Sequence, residues 1–303
     1  MDYKKAGIII VAASIVVTLA AVVLSGKGNS DSKIQASTGS GKVAVINLSG
    51  TIASTQDASL FGSASSSSLT MADLERAEKD RSLKAVVLRI DSPGGSASAS
   101  QELYDQVLRL KKSGKTVVAS FGDMAASGGY FVGAAADKIV AVPSTVTGSI
   151  GVISTVPNLE ELYKMIGYKE RVFKSGPHKD MLSPSRPLTT EEEEIMQELI
   201  DETYDQFVIA VANGRGLPQE KVRQLADGRI YTGSQAKEIG LVDELGGKRE
   251  AIELATKLAG IKGEPEVVEY RRVPGLVDIL RGVQTISQKY ALPLPPAYTT
   301  IKY

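Results

Sequence analysis

The chain has 303 residues, enough for one α/β domain of roughly 200–250 residues with appendages. Lys plus Arg and Asp plus Glu number 35 each, so the formal net charge is zero and the basic surplus that nucleic-acid binding requires is missing. With no cysteine and a single histidine, His178, disulfide frameworks, thiolate metal sites and two-histidine zinc motifs are excluded, and no cofactor is expected.

The first element in chain order is apolar. Gly7 to Leu24 is a run of 18 residues with no charge, dominated by Ile, Val, Leu and Ala. At about 1.5 Å of rise per residue, such a helix just crosses a hydrocarbon core of about 30 Å. Lys4 and Lys5 precede it, and the positive-inside rule keeps them in the cytoplasm. The expectation is a single-pass anchor over residues 1–24 in the cell membrane, with the rest of the chain extracytoplasmic. A cleaved signal peptide is the competing reading. It fits less well, because its apolar core usually runs roughly 7–15 residues and no A-x-A site closes this one. Residues 25–42 are rich in Gly, Ser and Lys and read as a flexible tether.

A globular domain is expected over residues 43–265. Val43–Leu48, Ala85–Ile90, Thr116–Phe121 and Lys138–Val142 are short apolar runs rich in Val and Ile. Met71–Asp80, Gln101–Lys112 and Gly128–Ala136 lie between them with helical character, while Ser63–Ser68 reads as a surface loop. Continuous apolar strands alternating with helices predict an α/β fold with a mostly parallel, doubly covered sheet. Glu191–Asn213 reads as a long helix, with Thr189 and Thr190 as caps that each have Glu three residues on. Pro218 can start the next helix, and Gly240 suits the end of Ser234–Ile239. Residues 266–303 contain PLPLPPAY and read as a peripheral tail.

Two glycine-rich turns follow strands: Asp91-Ser92-Pro93-Gly94-Gly95 and Met124-Ala125-Ala126-Ser127-Gly128-Gly129-Tyr130. Where a strand hands over to a helix, backbone N–H groups are unpaired and glycine lets a substrate come close. Two such turns side by side can aim two N–H donors at one oxyanion, with Ser127 as nucleophile. The plainer alternative is that Ser127 caps a helix and Gly94-Gly95 makes a tight turn. A serine nucleophile needs a base, and His178 and Lys179 are adjacent candidates that an extended backbone would point to opposite sides. A lysine base must be neutral, which for an amine titrating near 10.4 means lowering it by roughly three pH units. Burial and the absence of a nearby carboxylate supply such a drop, so Asp180 should point away. Ser149, in Thr147-Gly148-Ser149-Ile150-Gly151, can orient an uncharged amine or simply satisfy its own loop.

The blocks SPGG, MAASGGY, TGSIGV, KSGPHKD-x-x-SPSR, DGR-x-YTG-x-QA and GLVDELG, in this order across residues 43–247, resemble the bacterial signal peptide peptidase A family. The first two blocks also resemble the Clp-type protease, which shares a crotonase-like fold. The resemblance implies that Ser127 is the nucleophile and that Lys179, 52 residues later, is its general base. It further implies that Ser149 hydrogen-bonds the lysine and that the N–H groups of Gly95 and Gly128 form the oxyanion hole. The Clp-type protease carries a histidine soon after its serine and this chain does not, which favours Lys179 over His178. The implied substrates are peptides, signal peptides left in the membrane above all, and the implied assembly is a homo-octamer with serine and lysine from neighbouring subunits. Two other classes share parts of the pattern. A crotonase-type acyl-CoA enzyme is disfavoured by the anchor, and a non-catalytic membrane-tethered scaffold by the joint presence of Ser127 and Lys179.

Overall fold

The structure, a computed structural model, describes residues 41–53 and 66–270. The expected anchor at 1–24, the tether up to residue 40 and residues 271–303 lie outside the described residues. Among the described residues no helix is long and apolar enough to cross a membrane.

The four strands expected from apolar runs form the centre of the sheet. They are β1 (Lys42–Ser49), β2 (Leu83–Ser92), β3 (Thr116–Ala126) and β4 (Lys138–Ala141). β1 and β3 both pair in parallel with β2, and β4 pairs in parallel with β3. Both faces are covered. Val43, Val45, Ala85, Val87, Val118 and Val140 pack against a late helix, while Ile46, Leu48, Leu88, Ile90, Ala119 and Phe121 face the main core. Burial on both sides explains why these strands read as unbroken apolar runs rather than alternating ones. Each buried Val, Leu or Ile contributes about 1.5–3 kcal/mol.

The helices cover the main face. They begin with α1 (Ser66–Lys79), α2 (Ala97–Lys112) and α3 (Gly128–Ala134). α1 starts inside the serine stretch read as a loop. The reason is local: the Ser49 N–H donates to Ser66 Oγ at 3.1 Å and Thr70 Oγ1 donates to the Asn47 carbonyl at 2.6 Å, tying the first turn to β1. After β4 come β5 (Val146–Gly148), a short α4 (Glu160–Met165) and the long α5 (Thr190–Arg215). A full capping box, Thr189 with Glu192, opens α5, and Gly216 closes it in the left-handed region with φ 64°. Then follow α6 (Gln219–Leu225), β6 (Ile230–Thr232), α7 (Gly233–Glu238), β7 (Glu244–Leu245), α8 (Lys248–Leu258) and β8 (Glu266–Glu269).

Among the described residues the sheet has eight strands in the order β6-β5-β3-β2-β1-β8, with β4 on β3 and β7 on β4. Only the β5–β6 pairing is antiparallel, so the sheet is mixed and mostly parallel. β8 lies in the stretch read as tail. It pairs with β1 from Lys42↔Glu266 to Val45↔Glu269, and Lys42 Nζ sits 3.1 Å from Glu266 Oε1. The sheet thus takes in the last residue of the expected tether and the first four of the expected tail.

Candidate active site

The site forms where parallel strands end. β3 and β5 run side by side with Ala126 opposite Gly148, so Ser127 and Ser149 are the next residues out on neighbouring strands. The Ser127 N–H donates to the Gly148 carbonyl at 2.9 Å, and the Ser149 N–H to the Arg229 carbonyl at 2.8 Å. Among the described residues these two serines are the only non-glycine residues with positive φ, 51° and 50°. A side chain held in this region costs about 1–3 kcal/mol, and such strain gathers at functional sites. Ser127 stands at the N-cap position of α3, yet its hydroxyl makes no capping hydrogen bond. The plainer reading of Ser127 as a helix cap therefore does not describe how the hydroxyl is used.

Gly94 and Gly95 approach the same point. Ile52, which no local pattern singles out, bridges them: its N–H donates to the Gly94 carbonyl and its carbonyl accepts from the Ser96 N–H, both at 2.8 Å. This bridge does not use the Gly95 N–H. A Cβ on Gly128 would lie 3.4 Å from the Gly95 nitrogen, so the two amides are neighbours. Gly128 opens α3, where an N–H has no intrahelical acceptor. At Gly94, with φ +99°, a Cβ would meet the Gly128 nitrogen at 2.7 Å and Ser127 Cβ at 2.8 Å, so only glycine allows this approach. Ser92 fixes the turn: its hydroxyl donates to the Gly50 carbonyl at 2.6 Å and accepts from the Gly94 N–H at 3.1 Å.

A pocket of about 590 Å³ opens in front of these groups, lined by Gly95, Ser127, Gly128, Phe131, Val152 and Phe207 among others. Its aromatic wall is built by Phe131 and Phe207, edge to face at 5.1 Å, backed by Tyr104 at 4.9 Å from Phe131. Phe207 comes from α5, some 80 residues from Ser127, and nothing in its local sequence marks it as a site residue. Two amides and a strained hydroxyl that have no hydrogen-bond partner among the described residues, facing an apolar pocket, suit acyl transfer from a peptide carbonyl.

The structure gathers Ser127, Ser149, Gly95 and Gly128, but not Lys179. In the single chain Lys179 is exposed and does not line the pocket. It sits in a turn where its N–H donates to the Gly176 carbonyl at 3.4 Å. Its neighbours face elsewhere. His178 is partly buried, with Nε2 3.6 Å from Glu191 Oε1 and Nδ1 3.8 Å from Glu192 Oε1. Asp180 Oδ1 is held at 2.7 Å by both Arg186 and Lys174, which keep its carboxyl well below the usual carboxylate range. Among the described residues no carboxylate pairs with Lys179. The segment around it also exposes large apolar side chains, Ile153, Met165, Phe173 and Leu182 among them.

Two family models match the sequence: peptidase family S49 over residues 109–262, and Clp protease over residues 56–147. A Synechocystis protein whose name describes a protease is 49% identical over 191 residues, 63% of this chain and 68% of that protein. An Enterococcus faecium protein named for signal peptide peptidase is 37% identical over 231 residues, 76% of this chain and 67% of that protein. The chloroplastic serine protease SPPA of Arabidopsis thaliana is 36% identical over 250 residues, 81% of this chain and 37% of that protein. With its serine at a strained strand end beside two glycine amides, the chain belongs to peptidase family S49 and is a serine peptidase.

Proposed function

We propose that this chain is a membrane-anchored endopeptidase of Clp-type architecture. In this reading Ser127 is the nucleophile, Lys179 of a neighbouring subunit is the general base, and the substrates are signal peptides left in the membrane. The observation that carries the reading is Ser127 itself: positive φ, no capping bond, and two glycine amides beside it. Lys179 takes the proton from Ser127 Oγ as that oxygen bonds to the scissile carbonyl carbon. The developing oxyanion accepts hydrogen bonds from the Gly95 and Gly128 N–H groups. When the C–N bond breaks, Lys179 returns the proton to the leaving amine. A water, deprotonated by the same amine, then releases the acyl group. Ser149, one strand over, orients the uncharged amine.

Shared sites are supported by two features of the single chain. Lys179 stands away from the pocket, and the segment that carries it exposes Phe173 at 88% and Met165 at 82%. Such surface is what a second copy covers in an assembly, an octamer in this reading. The anchor over residues 1–24 places the domain on the extracytoplasmic side.

The full chain in detergent should be labelled at Ser127 by a fluorophosphonate and should cleave an apolar peptide. Lys179→Ala should abolish cleavage and His178→Ala should retain it. The opposite pattern would remove the lysine from the mechanism.

A further inference from the structure

We propose that Arg186 is a positioning residue for the reaction: it holds the acid next to Lys179 in a bridge to α5, away from the lysine's amine, and pins the turn that presents Lys179. The inference rests on the reading of Lys179 as the base.

The geometry is that of a clamp. Arg186 Nη2 lies 2.7 Å from Asp180 Oδ1 and 2.7 Å from Glu192 Oε1, while Nη1 lies 2.7 Å from Glu192 Oε2 and 2.9 Å from the Pro187 carbonyl. Glu192 is itself immobilised. Its carboxylate is buried and accepts the Thr189 N–H at 2.9 Å as half of the capping box. Asp180 is therefore tied, through one guanidinium, to the first turn of a 26-residue helix. Lys174 closes the other side, donating to Asp180 Oδ1 and to the Pro177 carbonyl, both at 2.7 Å.

The groups facing this cluster are Lys174, His178, Asp180, Arg186, Glu191 and Glu192. The cations Lys174 and Arg186 offset the anions Asp180 and Glu192, and Lys179 is left outside the set. A base must lose its proton to work, and a loose carboxylate within about 4–6 Å favours the protonated amine by about one pH unit or more. Asp180 is the carboxylate closest to Lys179 in sequence; Arg186 and Lys174 both occupy its Oδ1, and of the two Arg186 also reaches its Oδ2, at 3.4 Å, and ties it to α5. An arginine suits this task because its planar fork can serve two carboxylates at once.

The test is the pH profile of kcat/KM for peptide cleavage by the full-length assembled protein. In Arg186→Gln the acid limb should move up by about one pH unit, a roughly tenfold loss at any pH below the limb, with recovery in alkali. Adding Asp180→Asn should return the limb towards its wild-type position, which a merely structural role for Arg186 would not produce. If Arg186→Gln does not fold, as judged by circular dichroism, Arg186→Lys carries the test, and a smaller displacement in the same direction is expected. A limb that stays in place in the folded variant, with activity lost evenly across pH, would overturn the inference. The two readings fail separately. If Lys179→Ala keeps wild-type activity, the lysine base is wrong. If Lys179→Ala is inactive while the Arg186 variants leave the limb unmoved, only the role of Arg186 is wrong.

Discussion

The two halves of the proposed catalytic pair are built by opposite means. Ser127 stands at the end of a central strand with positive φ, its N–H bonded to the Gly148 carbonyl of the neighbouring strand β5. Lys179 stands on an exposed turn, held by its own N–H on the Gly176 carbonyl and through its neighbours Asp180 and His178. The first region is over-determined by packing and can store strain. The second is placed by surface ion pairs and one helix cap, which suits a group that meets its partner only after assembly. A nucleophile and its oxyanion donors must share one rigid frame, whereas a base can be brought in.

The sharpest way to probe the strained half is Ser127→Gly. Activity should fall by a factor on the order of 10⁴–10⁶. Thermal stability should rise by up to about 1 kcal/mol, because glycine relieves the positive φ. Loss of both activity and stability would mean that the serine side chain holds the strand ends together. Gly95→Ala should cost about 10²–10³ in kcat/KM, the usual value of one oxyanion donor, since its Cβ would meet the Ile52 carbonyl oxygen at 2.0 Å and displace the amide. Steady-state kinetics alongside a thermal melt would separate the catalytic loss from unfolding.

On the lysine side the effects should be smaller. Thr189→Ala removes the hydroxyl that accepts the Glu192 N–H at the start of α5 and should cost about 1 kcal/mol, a fall of roughly 2–4 °C in Tm. An unchanged Tm would detach the capping box from the turn. The smallest effect is in pH. Arg186 first, then the Thr189 N–H, hold the Glu192 carboxyl at about 2, below its ordinary 4.5. A folded-state value below the unfolded one gives stability that is complete above about pH 4.5 and lost as pH falls towards 2. Urea melts over that range should show Glu192→Gln less stable than wild type at pH 6, with the gap closing near pH 2. A gap that is constant with pH would show that the ion pair is not its source.

The sequence made the frame legible where its physics is local. β1 to β4 are runs of buried Val and Ile, and Thr189 with Glu192 announces its own capping box. Their ends were less legible. β5 to β8 have two to four residues each, too few to show a period, and β8 exists because Val267 and Val268 find β1 and Lys42 finds Glu266. At the site, Gly95, Gly128, Ser127 and Ser149 announce themselves as turn residues after strands. Ile52 and Phe207 reach the site only through long-range packing, which no local pattern encodes. Asp180 was expected to face away from Lys179; what the structure adds is its partners, Arg186 and Lys174, and the pairing with Arg186 is visible only in three dimensions.

Ser127→Ala and Lys179→Ala chains, co-assembled in equal amounts, test the central claim most directly. If serine and lysine come from different subunits, each homogeneous assembly is silent and the mixture regains cleavage, near a quarter of wild-type sites for about random mixing. A mixture shown by pull-down to contain both chains yet still silent would contradict an active site shared across subunits.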